Sequence, residues 1–450
     1  MRKPLVVLDE EHERVYERVA AVDVAKASGV VCVRTPGLAG QPRQNRVFAD
    51  VTAATGAITE LGRFLVAEKV QMVTMEATSD YWRIWYVVLE MCGLAVQLVP
   101  PHQARQIHGR PKTDKLDAIW LARLTEWGLL RPCFVPPGPV RKLRDFTRSR
   151  ADLVRDRTRC WQRLEKLLEG ALIKVSSVAS KLTTLSAQDM IRAMIAGERD
   201  PQVLASLARG RMKARHDALA AALDGAFDDR HGVLAQLLLD QIAHISGAIS
   251  IVEAGIETAI GEIPQAWGVD ADGTAGPAAG TGPDAAVLPA AERLAAIPGM
   301  SRELAIAVIA EIGLDMTRFR TPGHLVSWAG LCGTANQSGP RRRKDKKGHG
   351  NSYVRGYLGQ AANGAARTST FLGERYHRIA RRRGAARALV AVARSILVII
   401  WHLLADPAAR YHDLGPDHYA SRTSRDKKIR SHVHQLQALG LEVTITPAAA

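Results

Sequence analysis

Asp23, Glu76, Asp114 and Asp117 are the residues of this chain whose types and spacing could do chemistry together. Asp23 interrupts an apolar, strand-like run as Val-Asp-Val, a setting in which Asp is disfavoured. Glu76 follows the apolar stretch Gln71 to Met75. Asp114 and Asp117 stand three apart on an expected helix, which turns both carboxylates to one face. Carboxylates at strand ends and on an adjoining helix are the donors a Mg²⁺ site needs, because hard divalent ions take oxygen ligands. A pair of such ions can stabilise both the attacking and the leaving oxygen of a phosphoryl transfer. Taken singly, each acid reads more simply as a surface acid or a helix cap. Their occurrence as a set, in this order, points to a site.

Two further constellations lie in the second half. Ser338 precedes Gly339 in a loop-like stretch and is followed by Arg341, Arg342, Arg343, Lys344, Lys346 and Lys347, six cations against Asp345. Small residues let the backbone approach a ligand closely, and the cations would hold a phosphodiester beside the hydroxyl. No local His-based triad accompanies the serine, so a metal-bound acidic site is the candidate for activating it. A Ser-Gly pair is ordinarily a turn and a basic run ordinarily a solvated loop, so both readings stand. Ile297-Pro298-Gly299-Met300-Ser301 has the shape of a helix–hairpin–helix, whose turn amides at a helix N-terminus can hold phosphate oxygens. Ser301 stands where a second Gly is commoner, and a plain Pro-Gly turn between packing helices explains Gly299 equally well.

The elements that must position these residues follow from periodicity. Short β-rich runs cover Arg18 to Val24, Val30 to Arg34 and Arg46 to Phe48. Ile58, Leu61, Phe64 and Leu65 mark a helix over Thr55 to Glu68. A strand at Gln71 to Met75, a helix at Tyr81 to Met91, a strand at Leu94 to Val99 and a helix at Thr113 to Trp127 complete an α/β region. From Val140 to Glu169 the pattern becomes one long charged helix with a stripe of Leu143, Phe146, Leu153, Cys160, Leu164 and Leu167. Its Arg155, Arg157, Arg159 and Arg163 make a candidate nucleic-acid surface, balanced in part by Asp152, Asp156 and Glu165. Further helices are expected over Ala187 to Leu207 and Ala214 to Ile260, with coiled-coil character. Pro264 to Pro289 is Gly-, Ala- and Pro-rich and reads as a linker. A mainly helical region from Leu294 to Ala405 precedes a basic tail with an expected helix and short strand.

Composition narrows the partners. The chain has 450 residues, enough for several domains, and 61 Lys plus Arg against 45 Asp plus Glu give a formal charge of +16. Such a surplus favours polyanions, nucleic acid first. Hydrophobic content of 47% excludes disorder as the main state. The apolar stretch Ala388 to Ala405 is broken by Arg394 and His402, short of the roughly 20 apolar residues a bilayer crossing needs, and reads as a buried helix. An acidic N-terminus without a signal core, and five scattered cysteines without a C-x-x-C pair, suit a reducing cytoplasm, and a nucleic-acid partner there makes the expected location nucleoid-associated.

As a set these motifs resemble a known family. Val-Asp-Val-Ala-Lys at Asp23, Met-Glu-Ala-Thr-Ser-Asp-Tyr-Trp at Glu76 and Lys-Thr-Asp-Lys-Leu-Asp-Ala at Asp114 and Asp117 are similar to the DEDD tetrad of insertion-sequence transposases of the IS110 family. Ile-Pro-Gly-Met-Ser, Phe-Arg-Thr-Pro-Gly-His-Leu-Val-Ser-Trp-Ala-Gly-Leu and Asn-Gln-Ser-Gly-Pro-Arg-Arg-Arg with Gly-Asn-Ser-Tyr-Val-Arg-Gly-Tyr-Leu resemble that family's C-terminal domain. Agreement runs in order from about Val19 to Ala405.

The resemblance implies an α/β plus α architecture. Residues 1–138 would form a RuvC-like (ribonuclease-H-like) DEDD domain and 139–262 a helical coiled-coil spacer. A linker over 263–289 would lead to a mainly helical transposase domain over 290–405, with a helix-hairpin-helix-like element, and a basic tail over 406–450. It further implies a DNA recombinase whose tetrad binds Mg²⁺ and whose Ser338 forms a covalent phosphoserine link to DNA. Donor and target DNA, a bridge RNA and a homo-oligomeric dimer of dimers are the implied partners, with the serine supplied by another subunit. A RuvC-like hydrolytic nuclease or resolvase, and a non-enzymatic nucleic-acid-binding protein, are the alternatives. The N-terminal lead, the Gly/Pro-rich insert and the long tail depart from the family pattern.

Overall fold

A computed structural model describes residues 14–37, 43–101, 113–263, 266, 288–332, 337–338, 341–342, 350–421 and 425–445; at 337–338, 341–342, 420–421 and 425–428 it describes the backbone alone. The chain divides into two compact units, Met1–Val135 and Pro136–Ala450.

The first unit is built on strands β1 (Val19–Val24), β2 (Ser28–Thr35), β3 (Gln44–Thr52), β4 (Met72–Glu76) and β5 (Val96–Val99), in the sheet order β3-β2-β1-β4-β5. β1, β2 and β3 form an antiparallel meander, whereas β4 runs parallel to β1 and β5 parallel to β4. Alternation along β1 divides the sheet into two apolar faces. Ala20, Val22 and Val24 pack with Val73, Met75 and Leu98 against helices α1 (Thr55–Ala67) and α2 (Trp82–Met91), through Ile58, Leu65, Trp85 and Leu89. Val19 and Ala21 face the other way, toward Ala118, Leu121 and Ala122 of helix α3 (Asp114–Glu126).

β3 is longer than the expected Arg46 to Phe48. Its polar residues half-hide an edge strand, and the register slips between Gly29 and Val31 opposite Val51 and Phe48. Asp50, inside that bulge, has φ +56°. A strand so exposed and bulged leaves little alternation to detect.

The second unit opens with two 33-residue helices, α4 (Gly138–Gly170) and, after a single helical turn at Val175–Val178 and three further short helices, α8 (Asp229–Gly261). Arg150 pairs with Glu253, Arg157 Nη1 lies 3.4 Å from Ser246 Oγ, and Cys160 Sγ lies 3.7 Å from Gln241 Oε1. Rising numbers on one helix meet falling numbers on the other, so the two run antiparallel. Ala235, Ile242, Ile249 and Ile256 of α8 are buried at strict seven-residue steps. On α4 the buried stripe is Val140, Leu143, Thr147, Cys160, Leu164 and Leu168, in place of the expected Phe146, Leu153 and Leu167.

The expected helix over Ala187 to Leu207 is two, α5 (Leu185–Ile195) and α6 (Pro201–Ser206). Gly197 turns the chain at φ +103°, and Asp200 caps α6 ahead of Pro201. The expected helix over Ala214 to Ile260 is also divided, into a 3₁₀ turn (Gly210–Arg215), α7 (His216–Leu223) and α8. Asp228 and His231 form a capping box that starts α8. Leu164, Leu168, Met190, Ile191, Met194, Leu204, Leu219, Leu223 and Phe227 bring these short helices into one core with the end of α4.

Helices α9 (Ala290–Ala295), α10 (Arg302–Ile312), α11 (Pro322–Trp328), α12 (Ser352–Ala365), α13 (Phe371–Arg383) and α14 (Ala385–Ala405) follow. α10 is buried without interruption from Ala305 to Ile312. α14 buries Ala388, Val392, Ala393, Ile396, Leu397, Ile400, Leu403 and Leu404, as a core helix does. α8 and α14 are the two helices of the described residues long and apolar enough to cross a membrane. In the tail a helix spans Arg425–Ala438, starting earlier than expected, and residues 441–445 form no strand. The Gly/Ala/Pro-rich stretch lies almost wholly outside the described residues.

Candidate active site

Asp23 and Glu76 reach one end of the sheet on neighbouring parallel strands. β1 and β4 pair Val22 with Met75, so Asp23 and Glu76 are the next step of the same register. By alternation both share the face of Ala21 and Thr74, which α3 covers. α3 begins at Asp114. Thr113 caps it, Oγ1 accepting from the Leu116 N–H at 3.3 Å, and Asp114 and Asp117 fill its first turn. Acidic side chains there also suit the helix dipole.

Buried polar contacts hold α3 on the sheet. Thr125 Oγ1 lies 2.8 Å from Thr74 Oγ1 and 2.7 Å from the Leu121 carbonyl, and Gln97 Nε2 donates to Thr74 at 2.7 Å. Glu126, fully buried at the other end of α3, accepts from Arg34 Nε at 2.6 Å and pairs also with Arg43 and, at 3.8 Å, Arg14. A buried carboxylate needs such partners.

Three of the acids act on the fourth. Asp23 is pushed up from 3.8 to about 6, first by burial and then by the negative charges of Asp114, Glu76 and Asp117. Glu76 Oε1 is likewise shielded from solvent. The donors are all carboxylate oxygens, which suits a hard divalent cation, and a cation among them would relieve the repulsion that Asp23 feels. The arrangement is open: among the described residues no three His, Cys, Asp or Glu side chains stand close enough to hold one ion together.

Ser338 belongs to the second unit. It lies in a two-residue strand, Gln337–Ser338, paired antiparallel with Arg341–Arg342, so that Ser338 is opposite Arg341. This corrects the loop expected there: two residues on each side are too few to show alternation. Arg343, Lys344, Lys346 and Lys347 lie outside the described residues.

Gly299 sits in the turn between α9 and α10 at φ +81°. A methyl group there would run into the Ala361 carbonyl oxygen and the Ala365 amide, and Gly364 returns the contact from α12. The structure therefore gives Gly299 a helix-packing task, the second of its two readings. Ser301 caps α10, accepting from Leu304 N–H at 3.3 Å.

The basic face of α4 is largely neutralised. Arg155 pairs with Asp152, Arg159 with Asp156 at 2.8 Å and Arg150 with Glu253 at 2.7 Å. Arg148 grips the buried Glu311 of α10 with two bonds of 2.6 and 2.8 Å. Asn351, the cap of α12, donates to Glu311 at 2.5 Å. Glu126 and Glu311 are the acids that sequence reasoning passed over. The polar fraction of a helical face gives no sign that one acid points inward, although a Glu in the apolar run of α10 was a usable signal.

Two family models match. One described as a transposase covers residues 20–173, and one described as the transposase IS116/IS110/IS902 family covers residues 291–378. Together they span more than half of the chain. A comparison with curated proteins finds no match.

Proposed function

Because the chain belongs to the IS110 family of transposases, whose substrate is DNA, we propose that it exchanges DNA strands by transesterification, with Ser338 as nucleophile. The observation that carries the metal half of this reading is the placing of Asp23 and Glu76 at the ends of neighbouring parallel strands beside the acidic first turn of α3, where burial first, and then the charges of Asp114, Glu76 and Asp117, push Asp23 up to about 6. The sheet order and helix α3 favour a RuvC-like (ribonuclease-H-like) domain, and the antiparallel α4–α8 pair favours a coiled-coil spacer.

On this reading Asp23, Glu76, Asp114 and Asp117 hold Mg²⁺. The ion supplies Lewis-acid stabilisation of the charge that builds on the phosphate oxygens. The Ser338 hydroxyl gives up its proton and its oxygen bonds to phosphorus. The bond from phosphorus to the leaving strand breaks, and that strand's oxygen takes a proton. A hydroxyl of the incoming strand then attacks the phosphoserine and frees the serine. One phosphodiester replaces another, so no ATP is consumed. The Arg341 to Lys347 run holds the flanking phosphates.

A bridge RNA that pairs with donor and target DNA, a dimer of dimers in which another copy supplies the serine, and a cytoplasmic, nucleoid-associated location complete the proposal. Its test is cleavage of donor DNA in Mg²⁺ by Asp23→Asn and Glu76→Gln. Both variants should bind DNA as the wild type does and cleave it at least 100-fold more slowly, roughly the cost of removing a preorganised catalytic group. Wild-type cleavage by both variants would refute the carboxylate site, and DNA binding by the wild type without any cleavage would favour a purely DNA-binding protein.

A further inference from the structure

Between Arg375 and Arg394 the chain carries seven arginines and no acidic residue. They occupy α13 and α14, a helical hairpin bent at Gly384, which ends one helix and begins the next at φ +83°. The buried face of α14 anchors the hairpin, and Arg381, Arg382, Arg383, Arg387 and Arg394 all stand exposed on it. The macrodipole favours cations in the last turn of α13, but that accounts for Arg381 to Arg383 and not for Arg387 or Arg394.

Among the described residues none of the seven forms an ion pair with a carboxylate. Arg375 donates to the Tyr419 hydroxyl at 2.9 Å, and the Arg378 guanidinium lies 3.8 Å from the centre of the same ring. Tyr419 in turn stacks on Phe371, with centroids 5.1 Å apart. This is the reverse of α4, where arginine after arginine meets an acid. A groove of about 650 Å³ runs between α13 and α14, lined by Arg375, Arg387, Arg394, Phe371 and Leu331. Leu331 begins the stretch that leads to Ser338.

We infer that the α13–α14 elbow is a clamp for the phosphate backbone of duplex DNA. Guanidinium groups fork onto phosphate oxygens, and uncompensated like charges on one hairpin are relieved by a polyanion laid across them. The choice of DNA rests on the transposase reading, and Leu331, seven residues before Ser338 in the sequence, lines the groove. Such contacts fix the position of the duplex without reading its sequence. Five of the seven arginines lie past residue 378, beyond the matched family region.

The test measures binding of full-length protein to a short duplex by fluorescence anisotropy, without divalent ions and over a range of salt. The variants are Arg381→Gln/Arg382→Gln/Arg383→Gln and, separately, Arg387→Gln/Arg394→Gln. The slope of log affinity against log salt should flatten by about 0.9 for each phosphate no longer neutralised, with affinity at low salt falling at least tenfold. A single-stranded RNA of equal charge is the second probe. Unchanged duplex binding in both variants, or loss of RNA binding alone, overturns the clamp. If the triple variant fails to fold, the α14 pair decides by itself. Neither the carboxylates nor Ser338 enters this assay, so failure of the clamp and failure of the serine mechanism give different results.

Discussion

Asp23 and Glu76 stand side by side at the ends of two parallel strands, one register step beyond the Val22–Met75 pair. The sheet thus sets two carboxylates together without help from any loop, and α3 adds two more from its first turn. Burial then makes the charge of Asp23 costly, a stability cost borne at the proposed metal site.

That cost has a defined pH dependence. Asp23 keeps its proton up to about 6 in the folded chain, against 3.8 as a free side chain. Below about pH 3 both states are protonated and the shift costs nothing. As pH climbs from about 4 to about 6 the unfolded chain ionises first, and stability falls by about 1–2 kcal/mol after allowance for solvent screening. Asp23→Asn should therefore be more stable than wild type at pH 7.5 and indistinguishable at about pH 3 in urea unfolding. Equal stability at both pH values would contradict the shift.

Mg²⁺ should offset the same cost. Millimolar Mg²⁺ at pH 7.5 is expected to raise the midpoint of thermal unfolding of the wild type and to leave Asp23→Asn unmoved, as binding to the native state alone requires. An equal rise in both proteins would place the ion elsewhere.

Glu126→Gln tests what holds α3 in place. The carboxylate is buried and pairs with Arg34, Arg43 and Arg14; Arg43 keeps Glu17 as a second acid, so removing the charge leaves the largely buried Arg34 without a carboxylate. A loss of about 3–5 kcal/mol is expected from denaturant unfolding. A loss under about 1 kcal/mol would mean that solvent reaches the cluster.

Gly299→Ala separates packing from phosphate binding. The added methyl meets the backbone of α12 and sits at φ +81°, so the variant should lose more than about 2 kcal/mol of stability. Wild-type stability with weakened DNA binding would restore the phosphate reading.

The sequence and the structure agree best where a pattern repeats. Val19 to Val24 and Met72 to Glu76 are apolar runs with one acid each, so both strands and the place of Asp23 and Glu76 were legible. Thr113 announced the start of α3 by its capping chemistry. The breaks at Gly197–Pro201 and at Asp228 were also written in turn and cap residues, but apolar periodicity on either side obscured them. Glu126 was illegible, since its partners Arg34 and Arg43 are far off in sequence and only the folded sheet unites them. The arginine hairpin was visible as composition, but its lack of acidic partners is a three-dimensional fact. Ser338 was found by motif, and its two-residue strand was too short for any periodic signal.

The central claim is a division of labour between carboxylates and a serine hydroxyl, and a covalent adduct tests it most directly. Purified protein, donor DNA, Mg²⁺ and the RNA transcribed beside the gene would be incubated, denatured and resolved for DNA bound to protein. The wild type should yield an adduct whose linked peptide contains Ser338, and Ser338→Ala and Asp23→Asn should yield none. DNA cleavage by Ser338→Ala at the wild-type rate, or an adduct that persists in that variant, would contradict the account.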